Sequence, residues 1–94
     1  MTGRLRHEAV IDHKQRAVVL GDLAAVEVAA ENPTEACRHI SAALDELDRT
    51  WYAVAMDRIR DVRRRLHRWQ DDPCVRDLDD RLFGWDATLS AIRS

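Results

Sequence analysis

The chain is poor in the residues that build loops and cross-links. Its 94 residues include three glycines and two prolines, too few for a loop-rich fold. Two cysteines, Cys37 and Cys74, make no disulfide framework; reduced thiols in a cytoplasmic protein are the expectation. No apolar run approaches the roughly 20 residues of a membrane span. The N-terminal stretch MTGRLRHEAV lacks the apolar block of a secretory signal. There is no Gly-rich phosphate loop, no serine on a nucleophile elbow, and no pair of catalytic carboxylates; the acids are scattered over helix surfaces. These absences remove any basis for an enzyme, and no catalytic residue or cofactor is expected.

What is present favours helices. Ala, Leu, Arg and Asp are common, and the length allows one domain, residues 1–94, with 1–4 as a flexible lead. The expected fold is all-α, with helices over about 5–31, 34–50, 51–70 and 74–92. The centre of the argument is residues 22–51, read as two helices folded back across Asn32-Pro33. Asn32 tolerates the left-handed conformation that ends a helix, and Pro33 pushes it out of the helical region. Asn32 or Thr34 then caps the next helix. Ala36, Ile40, Ala43, Leu44, Leu47 and Trp51 share one face at spacings of three or four. Leu20, Leu23, Ala24 and Val28 make the facing stripe, and the alanines at 24, 36 and 43 let the helices approach closely. Gly21 marks either a kink or a site of close packing.

The third and fourth helices repeat the pattern. Tyr52, Ala55, Met56, Ile59, Val62, Leu66 and Trp69 form the strongest periodic signal in the chain. Val75, Leu78, Leu82, Trp85, Leu89 and Ile92 form a heptad-like seam. Six arginines and two aspartates give residues 51–70 a charge of +4, whereas residues 71–94 carry −3. Antiparallel neighbours of opposite charge are expected to pair across their contact.

The order Leu23-Ala24, Asn32-Pro33-Thr34-Glu35-Ala36, Ala43-Leu44 resembles a tetratricopeptide repeat. Glu27 and Glu31 depart from it, since the repeat usually carries an aromatic residue and a glycine there. Together with AMDRIRDVRRRLHRWQDDPCVRDLDDRL (55–82), residues 13–85 resemble the C-terminal end of actinobacterial regulators that join an Xre-type helix-turn-helix to a tetratricopeptide-like region. The resemblance implies a four-helix repeat without the DNA-reading domain. It further implies a regulatory module that binds a protein, a peptide or a second copy of itself.

Candidate partner-binding residues follow from exposed apolar positions. With no preceding repeat expected to cover it, the first helix is expected to expose an apolar strip that includes some of Val10, Ala17, Val18 and Val19 and supports self-association or a partner helix. Trp51, Trp69 and Trp85 lie on apolar stripes near helix ends; the core is their first assignment and a partner groove the alternative. Arg60, Arg63, Arg64 and Arg68 are candidate anion-binding residues. The alternative function is therefore a small nucleic-acid-associated protein using the Arg-rich third helix. The overall charge of −2, and the lack of aromatics among these arginines, disfavour it. No metal site is expected: Glu35 and His39 share a helix face at four-residue spacing, but the further carboxylates and the second such pair that a metal-binding bundle needs do not appear. Cys37 reads as a small core thiol.

Overall fold

A computed structural model describes residues 12–93, except for the side chains of Ser90, Ile92 and Arg93. The expected flexible lead, the beginning of the 5–31 helix and Val10 lie outside the described residues, as does the side chain of Ile92. The described residues form four α-helices and no strand: α1 (His13–Ala29), α2 (Pro33–Arg49), α3 (Ala53–Arg65) and α4 (Pro73–Arg93), with one 3₁₀ turn (His67–Trp69) between the last two. Among the described residues, no helix is long and apolar enough to cross a membrane.

Local chemistry sets each boundary. The Asp12 carboxylate accepts hydrogen bonds from the backbone N–H groups of Lys14 at 3.1 Å and Gln15 at 3.2 Å. These are donors that the first turn of α1 leaves unpaired. Pro33 and Pro73 open α2 and α4, one residue earlier than the periodicity suggests, because proline is well suited to the first helical position. Thr50 and Tyr52 are extended, so Trp51 falls in the link between α2 and α3. The third helix is shorter than expected. It ends at Arg65, because Leu66 turns out of the helix with φ −85° and ψ 7° and has no exposed surface. The chain pivots on this anchor and reaches Pro73 through the 3₁₀ turn.

The hairpin turn differs from expectation by one residue. Glu31, not Asn32, takes the left-handed conformation, with φ 61°. Its N–H donates to the Val28 carbonyl at 2.9 Å, and the Asn32 N–H donates to the Glu27 carbonyl at 2.8 Å. This pair of bonds closes the end of α1 as a Schellman motif. Pro33 holds Asn32 at φ −112° and ψ 74°, where its side chain makes no capping bond. A non-glycine residue at such a φ carries a cost of about 1–2 kcal/mol. Glu31→Gly is therefore expected to stabilise the fold by about 0.5–1 kcal/mol, after the added freedom of the unfolded chain is counted. A higher urea midpoint with an unchanged slope is the signature. The lost ion pair with Arg68 is two-thirds exposed on both sides and contributes little.

The core is built around α2. Its buried face is Ala36, Cys37, Ile40, Ala43, Leu44 and Leu47. Against it pack Ala55, Met56, Ile59 and Val62 from α3, then Leu66, then Val75, Leu78 and Leu82 from α4. The most extensive helix pairing is α1 with α2; α1 also packs on α3, and α4 packs on α2. From α1 only small residues are buried: Ala17, Gly21 and Ala24. A Cβ at Gly21 would lie 3.4 Å from the Arg58 Cβ, at van der Waals contact, so α1 and α3 cross closely at this position.

Polar contacts fix the helices' register. His13 and Arg16 of α1 both meet Glu46 near the end of α2, Arg16 through Nε at 3.1 Å. Arg81 of α4 donates to the Ser41 carbonyl at 3.2 Å and to Asp45 at 3.1 Å on α2. The opposite charges of α3 and α4 do pair: Arg63 binds Asp79 through two nitrogens, and Arg60 binds Asp86. The earlier arginine meets the later aspartate, as antiparallel helices require.

Candidate interaction surface

The first helix carries apolar residues on two opposite faces. One face is Ala17, Gly21 and Ala24, turned inward. The other is Val19, Leu23 and Val26, which are 46, 43 and 63% exposed. At 100° per residue these three fall within a stripe about 60° wide, opposite the buried face. Val19, Leu23 and Val26 thus point outward, whereas Val18, Leu20 and Val28 pack partly against the core and the small residues turn fully inward. Single exposed aliphatics are ordinary on a protein surface. Three at i, i+4 and i+7 on one helix make a contiguous strip that water covers at a cost. Asp22 and Arg16 flank it, the former paired to Arg58 and the latter to Glu46.

This corrects two expectations. Leu23 does not face α2, because the inward turn of α1 is set by the small residues that allow close approach. Ala17 is not exposed; it has no accessible surface. Val18 is half-buried against the core, and Val19 is exposed as expected. Leu23 and Val26 are the residues that the periodicity missed. The signal for them was available: Val18, Val19, Leu20, Leu23, Val26 and Val28 surround the helix instead of lining one side.

Beside the strip, α1 and α3 enclose an open groove of about 550 Å³. Ala25, Val54 and Val62 line its floor, and Asp22, Asp57 and Arg58 stand along it. Val54 is itself 45% exposed. Apolar surface with a charged margin is the composition of a protein-binding patch.

The tryptophans do not act as a group. Trp51 and Trp85 stack with ring centres 5.1 Å apart and planes tilted by 38°. Trp85 packs against the core, whereas Trp51 is exposed and covers its outer side. The link between α2 and α3 places Trp51 there, so its assignment to the core is corrected. Trp69 packs against the core in the 3₁₀ turn, with the Arg68 guanidinium 4.7 Å from its ring centre, a cation–π contact.

The candidate anion-binding arginines do not converge either. Arg60 and Arg63 pair with α4, Arg64 with Asp61 at 3.1 Å, and Arg68 with Glu31 at 3.2 Å. Arg58 and Arg65 are also paired, to Asp22 and Asp61. The basic character of residues 51–70 is thus largely offset within the molecule.

Among the described residues, no polar or charged residue is buried. Cys37 is buried and unreactive in character: burial pushes its thiol up to about 12, and a hydrogen bond with Cys74 and the nearby Asp72 carboxylate act in the same direction. Glu35 and His39 do share a face of α2, and Glu27 of α1 approaches them across the hairpin. No protein-family model matches this chain, and neither a curated protein nor a solved structure is significantly similar to it.

Proposed function

We propose that the chain is a non-catalytic interaction module that binds a protein or peptide, a second copy of itself included, through the outer face of α1. The observation that carries this reading is the strip of Val19, Leu23 and Val26, the outward side of a helix that is apolar on two opposite faces. A helix of that kind is normally covered on both sides. Among the described residues the buried titratable side chain is the Cys37 thiol, which burial holds in its neutral form.

The finer reading is a tetratricopeptide-like helical pair of the kind found in regulators with an Xre-type helix-turn-helix. It is supported by the left-handed backbone at Glu31, the position where that repeat usually carries glycine. The close helix approach at Ala24 and Ala36, both without exposed surface, supports it as well. The nucleic-acid reading receives no such support, because the arginines it needs are engaged by aspartates and Glu31.

Sedimentation velocity over a concentration series, combined with affinity capture, tests the proposal. The wild-type chain is expected to self-associate or to retain a protein partner. The double substitution Leu23→Glu with Val26→Glu is expected to abolish that association by at least about tenfold in affinity, since charges would be buried without partners. A monomer with no partner, or an association indifferent to the substitutions, would overturn the reading.

A further inference from the structure

We propose that Glu27, Glu35 and His39 form a binding site for a divalent first-row transition-metal ion of the zinc(II) class. One ligand atom from each of the three side chains lies within 4.8 Å of the other two. All three residues are half-buried. Glu35 and His39 stand four apart on α2 and so project from one face, while Glu27 comes from the last turn of α1. The hairpin itself assembles the set: the Schellman turn at Glu31 and the following Pro33 bring the end of α1 against the start of α2.

The chemistry of the donors selects the ion. One imidazole nitrogen with two carboxylates suits zinc and its first-row neighbours, whereas magnesium and calcium prefer oxygen alone. Metal–ligand bonds of about 2.0–2.2 Å put tetrahedral ligand atoms roughly 3.4 Å apart. Rotation of the two flexible glutamates closes the remaining distance. Two carboxylates held near each other repel, and Glu35 has a cation beside it, the Arg38 guanidinium at 2.8 Å and largely exposed. A divalent ion would relieve that repulsion at the centre of the set. Three protein ligands leave a coordination position open to water or to a donor from a bound partner. The ion would clamp the closed end of the hairpin, as the contacts of His13 and Arg16 with Glu46 fasten its open end.

The test uses the full chain. Zinc(II) is titrated by calorimetry and thermal unfolding, and cobalt(II) by visible and near-ultraviolet absorption. One zinc per chain is expected, with a raised melting midpoint and a cobalt spectrum free of thiolate charge-transfer bands. Glu27→Gln and His39→Gln, each checked for helicity by circular dichroism, are expected to weaken binding by about tenfold or more, while His67→Gln leaves it unchanged. Three results would each overturn the site: no stoichiometric zinc binding; binding insensitive to Glu27→Gln and His39→Gln; or thiolate bands that place the ion at Cys37 and Cys74.

Discussion

Leu44→Ala is expected to cost about 3–5 kcal/mol of folding stability, the range for a leucine removed from a site that cannot collapse. Leu44 has no exposed surface and lies on the central helix, whose buried face meets the rest of the core. Its neighbours on that face, Ile40 and Leu47, are held by a helix pinned on three sides, so the vacated space should stay open. For a domain of this size the total stability is roughly 5–15 kcal/mol, and the loss lowers the melting midpoint by roughly 15–30 °C. Calorimetry measures this directly. A drop of only a few degrees would mean that α2 is not the centre of the core.

The second large effect comes from adding atoms. Ala24→Leu is expected to destabilise the fold by about 1–3 kcal/mol, because the site has no free surface and the added carbons force α1 away from its neighbours. Leucine and alanine have similar helix propensities, so the loss reports packing alone. Two residues along the same helix, Val26→Ala should change stability by less than about 0.5 kcal/mol, since Val26 is 63% exposed. Urea unfolding of the two variants together measures the inward and outward faces of α1.

That contrast also explains which parts of the molecule were legible in the sequence. In α2, α3 and α4 the large apolar residues other than Val54 and Phe83 recur on the core face, so Ile40, Leu47, Ile59, Val62 and Leu78 could be placed in the core by spacing. In α1 the same method fails, because apolar residues surround the helix and periodicity does not choose between two oily faces. Close packing chooses: the small residues Ala17, Gly21 and Ala24 are the ones buried where α1 meets its neighbours. The turn shows a similar limit. Residue preference pointed to Asn32 for the left-handed position, but Pro33 constrains Asn32, and the strain moves to Glu31. Charge complementarity between α3 and α4 was legible as a balance. The particular pairs, Arg63 with Asp79 and Arg60 with Asp86, need the antiparallel register. Of the candidate metal ligands, the spacing of Glu35 and His39 was evident, whereas Glu27 joins them only through the fold.

The account turns on Leu23 being surface available to a partner and not part of the core. Urea unfolding of Leu23→Glu, at a concentration low enough to keep the chain dissociated, tests this most directly. If the strip faces outward, stability stays within about 0.5 kcal/mol of wild type. A loss of several kcal/mol would show a carboxylate forced into the interior, and would contradict both the orientation of α1 and the docking surface built on it.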